Sequence, residues 1–180
     1  MKDTKVLWFT GLSGAGKSTI TKHIEAILTQ NKKAVLLLDG DTIREKINTA
    51  LGFSREDVRR NNRLIAELCQ KNIGKYDFIL VAVISPYRKD RADSRGLLGG
   101  RYHEVYVKAS LDEVIKRDTK GLYQKALAGE IENFIGIDEN APYEVPEKPE
   151  LMIDTQIHTI EEAASLTLRY LNLQESLTQP

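Results

Sequence analysis

Residues 11–18 read GLSGAGKS, set between an apolar run, VLWFT at 6–10, and a stretch with helical periodicity at 17–30. The spacing G-x-x-x-x-G-K-[ST] is met at every specified position. A glycine-dense turn joining a buried strand directly to a helix leaves few folds open. The strand needs hydrogen-bonded neighbours and the helix must pack back onto them, so the feature calls for a layered α/β chain. The chemistry follows from the backbone. Glycines let successive N–H groups point inward as a nest for phosphate oxygens, and the helix N-terminus adds positive potential. Gly11, Leu12, Ser13, Gly14, Ala15, Gly16, Lys17, Ser18 and Thr19 are therefore expected to hold a nucleoside triphosphate. Lys17 would reach its β- and γ-phosphates and Ser18 would ligate Mg2+.

Four more apolar runs, at 34–38, 78–84, 104–108 and 151–155, lack period-2 alternation, as strands buried on both faces do. Helical patterns at 54–72, about 111–118 and 159–171 lie between or after them. The alternation predicts a doubly wound α/β fold of the P-loop NTPase type, with a parallel sheet of about five strands. Ser110 with Glu113 and Thr159 with Glu162 fit the capping-box spacing, and Ser54 with Asp57 is a weaker version. At 180 residues the chain is expected to be one domain, 1–180. Residues 119–150 break the pattern with three glycines and three prolines, and their aromatics Tyr123, Phe134 and Tyr143 predict a lid that orders rather than a disordered linker.

Lysine plus arginine equals aspartate plus glutamate, 26 each, so no net field points to nucleic acid or a membrane surface. An anionic ligand must be met by local geometry. No apolar run reaches the ~20 residues a membrane helix needs, and the patch at 6–9 is too short for a secretory leader. The single cysteine, Cys69, reads as a small core residue in a reducing compartment. Cytoplasm is the expected location.

The run 78–84 ends in Ser85-Pro86, without the metal-side aspartate that phosphoryl transfer wants near the phosphate loop. The run 34–38 ends in Asp39-Gly40-Asp41, and strand C-terminal ends line the ligand crevice of open α/β sheets. Two readings stand for each carboxylate. Asp41 is either the base that deprotonates an acceptor hydroxyl or an N-cap for a helix starting at Thr42. Asp39 either organises the metal shell, indirectly, or is a structural carboxylate bonded to loop N–H groups. Arg44, three residues after Asp41 and on the same helical face, either holds an anionic acceptor or forms a plain salt bridge.

The ordered series LDGDTIR, LGFSREDVRRNNR, ISPYRKDR, KGLYQKALAGEI and GIDENAPYEVPEKPEL, following WFTGLSGAGKSTI, resembles the adenylylsulfate kinase family from about residue 6 to 155. The resemblance implies transfer of the ATP γ-phosphate, with Mg2+, to the 3′-hydroxyl of adenylyl sulfate. It implies Asp41 as base, with Arg44 and Asn61 contacting the acceptor nucleotide. Phe53 and Phe134 would stack on its adenine, Ile84 and Ser85 would form the floor, and Lys120 would meet its anionic groups. It also implies a homodimer, and names Ser85 as a phosphoserine intermediate. Direct transfer is the simpler expectation, because in-line chemistry needs only positioning and charge stabilisation.

Two positions depart from the family pattern. Where GFS-x-x-D-R is usual, Asp57 is followed by Val58, and where the lid usually reads IKGFTGI this chain has Glu132 and Asn133. A hydrogen bond to a charged group contributes about 1.5–3 kcal/mol, so losing one cation would weaken acceptor binding about 10- to 100-fold. Arg59, one position on, is the nearest replacement in sequence. The alternatives are a kinase of the same fold acting on a related nucleotide, and a non-catalytic nucleotide-binding module.

Overall fold

The computed structural model describes residues 2–46 and 54–173. Five strands form one sheet in the order β2-β3-β1-β4-β5, every pair parallel: β1 Lys5–Thr10, β2 Val35–Asp39, β3 Phe78–Ala82, β4 Tyr102–Lys108 and β5 Leu151–Asp154. Successive side chains on each strand face opposite ways, which divides the core. Leu7, Phe9, Leu80, Val105 and Val107 pack on one face with α1 (Lys17–Gln30) and α7 (Ile160–Tyr170). Val6, Trp8, Ile79 and Val81 pack on the other with α3 (Arg55–Asn72), whose Ile65, Ala66 and Cys69 are buried. Burial on both faces explains why these runs show no alternation.

The chain order reverses at β1, which has β3 on one side and β4 on the other. A crevice opens outside the strand C-termini at such a switch point, and GLSGAGKS lies there. The predicted strand 78–84 ends at Ala82 instead, although Val83 still donates its N–H to the Phe9 carbonyl of β1. Two helices were not assigned from sequence, α4 (Arg88–Leu98) and α6 (Leu122–Leu127), the last inside the predicted lid, while α2 (Gly40–Lys46) covers the helix weighed from Thr42. The predicted N-caps form, but the box predicted at Ser110 does not close, because Ser110 N–H goes to Gln156 and Glu113 pairs with Arg117. Ser54, Ser110 and Thr159 each accept from the backbone N–H three residues on, and Thr159 with Glu162 completes the reciprocal box.

The lid stretch is more packed than its composition suggests. After α5 (Leu111–Arg117), Tyr123, Phe134, Ile135 and Ala141 enter the core cluster on the α1 side. Tyr123 sets its ring edge-on to Phe134 at 5.0 Å and donates its hydroxyl to the Ser13 carbonyl. Residues 127–130, by contrast, are exposed in succession.

Candidate active site

Gly11 must be glycine for lack of space: a Cβ there would stand 2.3 Å from the Val107 carbonyl oxygen. The loop therefore runs flush against the end of β4 before Gly16, in the left-handed conformation, starts α1. Lys17 is buried and donates to the Gly11 and Leu12 carbonyls at 2.9 and 2.7 Å. Burial pulls its ammonium down to about 8, against the opposing attraction of Asp41, while nearby Lys120 pushes the same way as burial.

One strand separates β1 from β2, yet the loops span it. Ser18 Oγ donates to Asp39 Oδ2 at 2.6 Å, and Asp39 Oδ1 accepts from the backbone N–H groups of Asp41 and Thr42. Asp39, not Asp41, is thus the carboxylate that caps α2, which begins at Gly40 rather than Thr42. The capping alternative for Asp41 falls, and its side chain is left for the cleft. Gly40 permits the turn by close approach: a Cβ there would meet Val83 at 3.0 Å. Asp41 is exposed and ion-paired with Lys120 of the lid.

The cleft is lined by Lys17, Ser18 and Thr19 on one side, Asp41 and Arg44 on another, and Val83 to Pro86 as its floor. Val58, Asn61 and Asn62 of α3 close a third side, and Thr119, Lys120 and Ile135 of the lid close the fourth. Most residues expected from sequence therefore meet in one crevice. Burial lowers the Arg44 guanidinium from its usual value, opposed by Asp41 and then Asp57. Ser85 is buried with a left-handed backbone, φ 44°, a conformation that costs a non-glycine residue about 1–3 kcal/mol. Its carbonyl is gripped by Arg91 Nη1 at 2.7 Å and by Thr10 Oγ1 at 3.3 Å.

Phe53 lies outside the described residues. Phe134, expected to stay clear of the core, is instead buried against Tyr123, and its neighbour Ile135 is the one that lines the cleft. Arg59 does not replace the missing arginine, since it is exposed near Glu56 and absent from the cleft wall. Three arginines of α4 are all engaged: Arg88 with the Val145 carbonyl, Arg91 with buried Glu104, and Arg95 bidentate with Glu150. Tyr87 is buried under the Arg55 guanidinium at 3.9 Å. Sequence reasoning missed Asn62, Thr119 and Ile135 as cleft residues. Asn62 alone carried a signal, one helical turn from Val58 and adjacent to Asn61.

The family model described as adenylylsulphate kinase matches residues 3–154. The adenylyl-sulfate kinase of Staphylococcus carnosus is 48% identical over 171 residues, covering 94% of this chain and 85% of that protein. The Mycobacterium tuberculosis APS kinase solved in complex with AMPPNP and APS superposes with a TM-score of 0.90 at 36% identity, covering 96% of this chain and 99% of that one. A hexameric APS kinase from Thiobacillus denitrificans gives a TM-score of 0.70 at 30% identity over 99% of this chain and 30% of its own.

Proposed function

The chain belongs to the adenylylsulphate kinase family, and from that membership we propose how its crevice divides one reaction among its residues. The protein is an ATP-dependent phosphotransferase of sulfate activation. It passes the ATP γ-phosphate to the 3′-hydroxyl of adenylyl sulfate, giving 3′-phosphoadenylyl sulfate and ADP.

In our reading the glycine loop 11–16 with Lys17, Ser18 and Thr19 holds ATP, its backbone N–H groups and the Lys17 ammonium facing the phosphates. Lys17 exchanges two carbonyl acceptors for phosphate oxygens at little cost, because both are hydrogen-bond acceptors within reach of one flexible side chain. Ser18 Oγ and Asp39 offer the hard oxygen donors that suit Mg2+, which takes few protein ligands and completes its octahedron with phosphates and water. Mg2+ held there supplies neutralisation of charge on the β- and γ-phosphates during transfer.

Asp41 is the base that orients the acceptor hydroxyl and takes its proton. The observation that carries this assignment is the pairing of roles at the end of β2. Asp39 spends its oxygens on Ser18 and on two N–H groups of α2, whereas Asp41 stands in the cleft with a cation from the lid as its partner. Arg44 and Asn61 contact the acceptor, Ile84 and Ser85 form its floor, and Lys120 moves from Asp41 to the ligand's anionic groups. Phe53 and Phe134 complete the adenine site in the same reading, Phe134 from a position fixed by Tyr123. Ser85 serves as floor rather than phosphoserine, because among the described residues its hydroxyl has no hydrogen-bonded base.

The same-fold alternative retains one physical motive: Val58 puts an apolar side chain on the acceptor wall. A coupled assay of ADP release with adenylyl sulfate and with other 5′-nucleotide anhydrides separates the two. A kcat/KM at least tenfold higher for adenylyl sulfate is expected, and no preference would overturn the acceptor assignment. Family relatives support a homo-oligomer, for which we propose a dimer; sedimentation equilibrium giving a monomer would exclude it. Among the described residues no helix is long and apolar enough to cross a membrane.

A further inference from the structure

Among the described residues three buried side-chain polar atoms have no hydrogen-bond partner: Trp8 Nε1, Asn62 Nδ2 and Ser85 Oγ. Trp8 lies inside the sheet. The other two belong to residues of the cleft wall. Burying an unsatisfied amide costs about as much as one hydrogen bond contributes, or more, so an orphan donor in a native wall needs a reason. Asn62 is 1% exposed, on the same helix face as Val58 one turn earlier, next to Asn61. It also borders the groove between α3 and α4, but no protein atom there accepts from it, and the groove's buried Asp90 is engaged twice by Arg55 at 2.8 Å.

We infer that Asn62 is a specificity-determining contact of this chain. Its Nδ2 donates to an oxygen or ring-nitrogen lone pair of the acceptor nucleotide and so replaces, with a neutral donor, the cation absent at Val58. A neutral amide suits this wall better than an unpaired guanidinium would, because it costs less to bury before the ligand arrives. Arg59, the sequence-adjacent cation, points elsewhere. The donor is pre-positioned on an 18-residue helix rather than on the lid, so it discriminates between acceptors without itself having to be ordered on binding.

The inference rests on the acceptor site proposed above, and its test separates the two. Asn62→Leu keeps the side-chain size and removes the donor. The expected result is a roughly 10-fold or larger rise in KM for adenylyl sulfate, an unchanged KM for ATP, and an unchanged or higher Tm, since an unsatisfied buried amide has been removed. Stability and acceptor affinity then move in opposite directions, which a structural asparagine would not produce. A KM for adenylyl sulfate within twofold of wild type would overturn the inference. So would a lower Tm with both KM values raised alike. If the leucine variant fails to fold, Asn62→Ala is read by the ratio of the two KM values. Absence of wild-type turnover with adenylyl sulfate would sink the acceptor assignment itself, a separate outcome from normal wild-type turnover with an indifferent Asn62 variant.

Discussion

Asp41 and Asp39 stand two residues apart on a strand end, and their division of labour is decided by which oxygens are already taken. Asp39 accepts from Ser18 Oγ and from two backbone N–H groups, so it cannot also accept a substrate proton without releasing α2 or the phosphate loop. Asp41 is free of such duties. Asp41→Ala is therefore expected to lower kcat by at least about 10²-fold, the usual contribution of a positioned base, with ATP affinity kept as measured by titration calorimetry. Near-normal kcat would remove Asp41 from that role. Asp39→Ala should differ in kind: it loses ATP-Mg2+ turnover and also stability, because a helix cap contributes about 1 kcal/mol. Cys69 illustrates the opposite case, a chemically capable group without a task. Burial pushes its thiol up to about 12, so at pH 8 only about one molecule in 10⁴ carries the thiolate that reacts. Native protein should resist a disulfide reagent at pH 8 and react only as fast as it opens; stoichiometric labelling within minutes would contradict that burial.

At the scale of elements, α4 joins the lid to the floor of the cleft through one side chain. Arg91 is buried, pairs with Glu104 of β4 at 2.9 Å, and donates to the Ser85 and Glu144 carbonyls at 2.7 Å each. Its guanidinium fork fits two carbonyls and a carboxylate at once, which a lysine could not. Arg91→Met leaves Glu104 buried without its counter-ion and should cost about 3–5 kcal/mol in urea denaturation. Adding Glu104→Leu should recover most of that stability, because a hydrophobic pair is an adequate substitute for a buried ion pair. It should not recover acceptor KM, since the left-handed Ser85 turn has lost its grip. Joint recovery would show that Arg91 serves only to neutralise Glu104.

At the scale of the whole molecule, the lid is two regions with different tethering. Phe134, Ile135 and Ala141 anchor it in the core, while residues 127–130 are exposed and held on one side by the short α6. Ligand-driven closure should therefore protect the exposed limb at 127–130 and leave the packed one unchanged. Limited proteolysis is expected to cut near 127–130 and to slow several-fold with ADP and adenylyl sulfate together. Equal cutting rates with and without ligands would exclude closure of that limb. The crevice needs such a cover because water competes with the 3′-hydroxyl for the phosphoryl group.

Much of this was legible in the residues. The strand-loop-helix around GLSGAGKS, the uninterrupted apolar runs and the three capping serines and threonine are local patterns, set by backbone sterics and short-range hydrogen bonds, and each stands where its spacing predicted. The same holds for the gathering of Lys17, Ser18, Asp41, Arg44, Asn61, Ser85 and Lys120, whose strand and helix ends must meet at the switch point of a parallel sheet. Packing decided the rest. The helices α4 and α6 and the burial of Phe134 depend on contacts with distant segments, which no local window contains. Which aspartate caps α2 and which is left to line the cleft was settled by the reach of Ser18 across an intervening strand. That Val58 and Asn62 share one wall of the cleft while Arg59 is exposed beside Glu56 depends on the rotation of α3 about its axis against the sheet, a tertiary quantity that alternation and motif spacing do not encode.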